Sequence, residues 1–148
     1  MKILTSLLYF LSSFFIFAGV ALAFINVVAR FVFNKGLEWA FELTSYFFIY
    51  SVFFATAYLF KKSEHIRVTL LLEKFSFLDK VADIISIIYL SIIAYFSYLY
   101  IFDPELGLKA SKEISIDLNV PMWVIYLVLP ISMVLSIIMT IDHLKGKH

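Results

Sequence analysis

The sequence predicts an all-α integral membrane protein with four transmembrane helices, both termini in the cytoplasm and amphipathic segments along the interface. Three observations lead there. Of its 148 residues, 63% are hydrophobic, 19% aromatic and 16% charged, whereas an ordinary soluble domain is roughly half apolar and about a quarter charged. The charges are also segregated: residues 3–29, 43–60, 84–102 and 118–141 contain no Asp, Glu, Lys, Arg or His. Each window is 18 to 27 residues long, and a helix rising about 1.5 Å per residue needs roughly 20 to cross about 30 Å of hydrocarbon. One buried soluble helix imitates such a run, but four in so short a chain do not. A single membrane domain over 1–148 follows, with helices at about 3–29, 43–60, 84–102 and 120–141.

The first helix begins like a secretory signal, with Lys2, an apolar stretch and then Ala21-Leu22-Ala23. Its apolar run continues to Ala29, too long for a signal core, so residue 1 is expected to stay attached. The helix has two faces. Ser12, Ile16, Gly19, Ala23, Asn26 and Arg30 recur at spacings of four and three on one stripe, and Phe10, Phe14, Phe17, Ala21, Phe24, Val28 and Phe31 lie nearly opposite. Helices in lipid associate through close backbone approach and interhelical hydrogen bonds, so Gly19 and Ala23 with Asn26 mark a helix contact, within this chain or with another.

The second window, 43–60, is marginal in length, and the third, 84–102, carries no charge. The fourth carries Ser132, Ser136 and Thr140 at intervals of four, just past Pro130. The proline lacks an amide and its ring clashes with the preceding turn, so it is expected to bend the helix, with nearby hydroxyls satisfying freed carbonyls. Asn119 or Asp117 is expected to cap that helix and Pro121 to occupy its first position, with Trp123 and Tyr126 as interfacial anchors.

Residues 30–42 and 64–83 mix large apolar side chains with charges and are expected to lie along the interface. The 103–117 connection has Pro104 and Gly107 as breakers, with Asp103, Glu105, Lys109, Lys112, Glu113 and Asp117 as solvated charges. With four crossings, Lys2, Lys61, Lys62, Arg67, Lys74, Lys80, Lys145 and Lys147 share a side, and Arg30, Lys35, Lys109 and Lys112 lie opposite. Eight against four favours cytoplasmic termini.

Chemistry is represented mainly by absences. A net charge of +1 supplies no basic stripe for nucleic acid, and without cysteine there is no disulfide or thiolate site. A proton-coupled carrier normally keeps an ionisable group inside the membrane, and none of the four windows holds one. His65, His143 and His148 are scattered, and neither a phosphate-cradling glycine loop nor a nucleophile motif is present. No catalytic residue, metal site or cofactor is expected, and the chain is read as serving a partner. A small homo-oligomeric carrier or channel acting alone, and a membrane enzyme or assembly factor, are the alternatives.

Two polar features stand at helix ends. Arg30 and Glu42, twelve positions apart, could pair across the first turn and fix its angle, and a carboxylate at a helix start is favoured by the dipole. His65, with Arg67 two residues later, opens the inner connection, where it could bond Glu64, bond a lipid phosphate or be solvated.

At these residues the chain resembles the small membrane subunit, the Q-type or DctQ-like subunit, of tripartite ATP-independent periplasmic (TRAP) transporters. Arg30-Phe31-Val32-Phe33-Asn34 resembles the family's arginine and aromatic-rich turn, and Trp39-Ala40-Phe41-Glu42-Leu43 its tryptophan-to-glutamate approach to helix two. His65-Ile66-Arg67-Val68 resembles its histidine segment, Val120-Pro121-Met122-Trp123 its proline approach to helix four, and Leu129-Pro130-Ile131 adds a weaker match. Thr69 stands where the family often has an acidic residue, and Ser63-Glu64 where glycine is frequent. The resemblance implies a bacterial inner-membrane subunit without catalysis. Its implied partners are a large membrane subunit, which holds the substrate and sodium sites, and a periplasmic solute-binding protein. The implied cargo is an organic acid driven by the sodium gradient, and this chain would brace the large subunit. The two stripes of helix one and the Ser132–Ser136 ridge are then candidate contacts with that subunit, and 30–42 and 103–117 candidate docking surfaces for the binding protein.

Overall fold

The computed structural model describes residues 2–62 and 76–145. Within them run α1 (Lys2–Val32), α2 (Glu38–Lys62), α3 (Ser76–Phe102), α4 (Leu108–Ser111), α5 (Met122–Tyr126) and α6 (Val128–Lys145). Four stretches are long and apolar enough to cross a membrane: Ile3–Val32, Glu38–Phe60, Val81–Phe102 and Met122–Asp142. The chain is therefore an all-α, multi-pass membrane protein.

The helices overrun the charge-free windows. Residues 30–42 are divided between elements: Arg30 to Val32 finish α1 and Glu38 to Glu42 open α2. Likewise Ser76 to Asp83 belong to α3, while 63–75, with His65 and Arg67, lie outside the described residues. The absence of charge marks the hydrocarbon, and a helix continues into the headgroup zone where charged side chains are solvated.

Packing follows an open row. α1 lies on α2, α2 on α6 and α6 on α3, and among the described residues no comparable contact joins α3 back to α1. The fourth span, Met122–Asp142, made of α5 and α6, buries the largest share of its length. Small residues make the close contacts. Ser132, Ser136 and Thr140 are fully buried, so the ridge faces into the chain and is not a surface offered to a partner, as the resemblance had suggested. Ser136 and Thr140 each donate to the carbonyl four residues back, at 2.7 and 2.8 Å, which satisfies the hydroxyls without needing an opposite group. On α3 the buried residues Asp83, Leu90 and Ser97 recur every seven positions, one stripe of a helix.

The small stripe of α1 is likewise used internally. Gly19 is buried where a Cβ would come within 2.9 Å of the Phe48 ring, and Ser51 of α2 donates to the Ser12 carbonyl at 2.9 Å. Beside them Phe15 meets Phe47, Tyr50 and Phe54 at centroid distances of 5.6, 5.4 and 5.9 Å, within the range where aromatic pairs add about 0.5–1.5 kcal/mol to area burial. Toward the chain termini, Leu8, Ala57 and Met139 close a buried cluster that fastens α1, α2 and α6 together. The opposite stripe of α1 is bare: Phe10, Phe14, Phe17, Phe24 and Phe31 are all more than half exposed.

Candidate functional site

The polar groups gather at the end of the row where α1 and α3 finish and α2 and α5 begin. α1 stops because Phe33 still donates to Ala29 at 3.0 Å while Asn34 takes a left-handed conformation (φ 52°), which asparagine tolerates better than most residues. The Asn26 side chain then reaches forward to accept from the Leu37 amide at 2.9 Å, tying the turn back to α1 just before α2. Glu38 occupies the first turn of α2, where the helix dipole favours a carboxylate.

Glu42 does not pair with Arg30. Its carboxylate accepts from the Tyr46 hydroxyl one turn on, and from the backbone amides of Asp117 at 2.9 Å and Leu118 at 3.1 Å. One side chain of α2, steadied by the Tyr46 hydroxyl of the same helix, thus holds the connection between α3 and α5 by two amide donors, and bonds to an ionised acceptor are roughly twice as strong as neutral ones. Behind it Ser115, fully buried, accepts from the Val120 amide at 3.2 Å. Backbone bonds from Ser115 to Val120 and from Met122 to Glu113, both 2.9 Å, complete a short antiparallel bridge.

That bridge changes the start of the fourth span. Pro121 is the residue before the first helical position, and no side chain caps α5. The Asp117 amide donates to Glu42 and Asn119 sits in a left-handed turn (φ 52°), and neither side chain caps the helix as expected. Pro130 lies in the first turn of α6, and the helix is interrupted at Leu127, next to the Tyr126 carbonyl that a proline four residues later leaves without its donor. Ser132 donates instead to Leu129, at 2.9 Å, so the nearby hydroxyl does not repair that carbonyl.

The rest of the connection is more ordered than a run of solvated charges. The Asp103 carboxylate accepts from the Glu105 and Leu106 amides, both at 2.9 Å. These two bonds, the Leu106 one foremost, hold its carboxyl below the usual carboxylate range. A Cβ at Gly107 would fall 2.5 Å from the Asp103 carbonyl oxygen, so only glycine fits the turn. Lys109 places its ammonium 5.5 Å from the Phe102 ring and 5.7 Å from Trp123, within cation–π range. Trp123 is thereby fixed, whereas Trp39, in the first turn of α2, is 43% exposed. Ala23 is half-buried on the α2 side of α1, and Arg30 is exposed at its end.

Sequence reasoning missed Tyr46, Lys109 and the Asn26 bond. Tyr46 is four residues from Glu42 and so was legible as a neighbour on one helix face; the amides of Asp117 and Leu118 leave no mark in a sequence. Among the described residues no group of acidic or histidine side chains could hold a metal ion.

An open row of apolar spans, fastened at one end by a carboxylate that binds backbone, defines a small multi-pass membrane protein without a chemical centre among its described residues. Residues 19–147 match the family model for the DctQ component of tripartite ATP-independent periplasmic transporters. The chain belongs to that family, whose members are transporter subunits. It is also 38% identical over 53 residues to a protein of Haemophilus influenzae described as a TRAP transporter small permease protein. That match covers 36% of this chain and 33% of the other, so the chain spans about a third of that relative.

Proposed function

We propose that this chain is the non-catalytic scaffold of a sodium-coupled TRAP-type importer of organic acids in a bacterial inner membrane, with both termini cytoplasmic. It braces a large membrane subunit that holds the substrate and sodium sites. The single observation carrying this reading is the contrast between the buried and bare faces. The row consumes its own hydroxyls and small residues internally, and leaves the aromatic stripe of α1 and the outer face of α3, from Ile85 through Ile92 to Phe96, uncovered. The small stripe and the α6 ridge are not part of the contact. The bare apolar faces are what remains for a second membrane protein or for lipid. The stretches 3–29, 43–60, 84–102 and 118–141 contain no charged side chain, and the carboxylate of Asp83, though buried, stands at the very start of the third span; this is in keeping with the placement of ion coupling in a companion.

The outer end, with the connection held by Glu42, is the surface proposed to help dock a periplasmic solute-binding protein. Leu106 and Ile116 stand there 88% and 90% exposed among charged neighbours, and exposed apolar side chains rimmed by polar ones mark contact sites. The test is reconstitution of the large subunit and binding protein in liposomes with and without this chain. Sodium-driven uptake is expected to fall sharply in its absence. Undiminished uptake, or flux by the chain alone, would sink the proposal.

A further inference from the structure

We propose that a recess between α1 and α2, at the end of the row opposite the chain termini, binds the phosphodiester of one membrane phospholipid through Arg30 and Thr44, with a fatty chain lying against Phe41 and Phe48. The recess has a volume of about 360 Å³ and is lined by Ala23, Asn26, Arg30, Phe41, Thr44 and Phe48 among others.

Thr44 is the first indication. It is 8% exposed, and its hydroxyl has no hydrogen-bond partner. A hydroxyl within a helix has a partner ready in the carbonyl one turn back, and Ser45, Thr56, Ser86 and Ser91 all use it. Thr44 does not, although a buried polar group without a partner is costly. Arg30 is the second. Among the described residues its side chain makes no hydrogen bond and no ion pair, yet it lines this same recess.

The chemistry of the lining selects the ligand. The oxygen of Asn26 is committed to the Leu37 amide, so its NH2 group remains to donate. A guanidinium, a carboxamide NH2 and a hydroxyl are a donor set, and they suit an oxyanion; a guanidinium in particular matches phosphate bidentately. The other walls are apolar. A ligand that is anionic at one end and hydrocarbon along the rest, met where a transmembrane helix ends, is a phospholipid. Arg30, Asn26 and Phe41 also line an adjoining recess in which the Glu38 carboxylate stands, while Glu38 does not line this one.

The full chain, purified in mild detergent and stripped of lipid, is titrated with dioleoylphosphatidylethanolamine and with dioleoylglycerol, which has the same tails and no phosphate. Bound lipid is counted by native mass spectrometry. The wild type is expected to hold one phospholipid, at least tenfold tighter than the diacylglycerol. Arg30→Gln should erase that preference, Arg30→Lys should keep part of it, and Thr44→Val should weaken binding several-fold. Lys35→Gln, a nearby cation outside the recess, should leave it intact, and circular dichroism reports that each variant is folded. Equal affinity for the two lipids, or an unaltered preference in folded Arg30→Gln, overturns the proposal. Inorganic phosphate that binds as tightly as the lipid would make the ligand a free ion and also overturn it. So would loss of the lipid on assembly with the large subunit, which would assign Arg30 to a partner carboxylate.

Discussion

Glu42 shows how much one side chain does in this protein. Its two oxygens receive a phenol and two backbone amides that come from a segment some 75 residues away. Glu42→Gln keeps an acceptor but removes the charge and turns one oxygen into a donor facing donors. The connection is expected to loosen, with cleavage in the 112–121 stretch accelerated several-fold in limited proteolysis. Tyr46→Phe, which removes one donor, should have a smaller effect. Asp103 supplies a pH-dependent counterpart. Its carboxyl is held below the usual range, so its stabilising contribution is present above the unfolded value and is lost as pH falls through the folded one. Amide protection at Glu105 and Leu106, corrected for intrinsic exchange at each pH, should therefore drop on strong acidification. Asp103→Asn, which retains the accepting oxygen, should flatten that dependence.

At the scale of elements, the number and order of spans were legible because lipid excludes charge, and four uninterrupted windows stood out. Their ends were not legible for the same reason. α2 begins at Glu38 and α3 at Ser76, inside stretches that charge alone assigns to the interface. Pro130 located the weak point of the fourth span, and the interruption falls at Leu127, three residues earlier, because a proline disturbs the turn before it. The periodicity of Ser132, Ser136 and Thr140 identified a contact ridge but not its partner. A repeat of small residues looks identical whether it meets a helix of the same chain or of another. Since the ridge is buried, Ser132→Leu should act on the chain itself, destabilising it by about 1–3 kcal/mol through overpacking. Unfolding of the isolated chain in detergent would register this before any partner is added.

At the scale of the whole molecule, the proposed role gives the chain a supporting place, with its bare apolar faces turned to a companion. Substrate choice then lies elsewhere. Arg30→Ala and Glu42→Gln are expected to reduce assembly or uptake by the reconstituted transporter while leaving the ranking of competing substrates unchanged. A reordered ranking in a competition assay would contradict that division of labour. The fold explains why these two residues, which looked like a pair in the sequence, are predicted to act separately. Glu42 is spent on its own chain, while Arg30 is left at the surface.

The row is secured twice: by Glu42 at one extremity and by Leu8, Ala57 and Met139 near the other. A plank clamped near both ends resists torsion better than one hinged at a single point. In the proposed bracing role, thrust delivered midway by a gliding neighbour would be divided between the two clamps, and neither hairpin could swing free of the other.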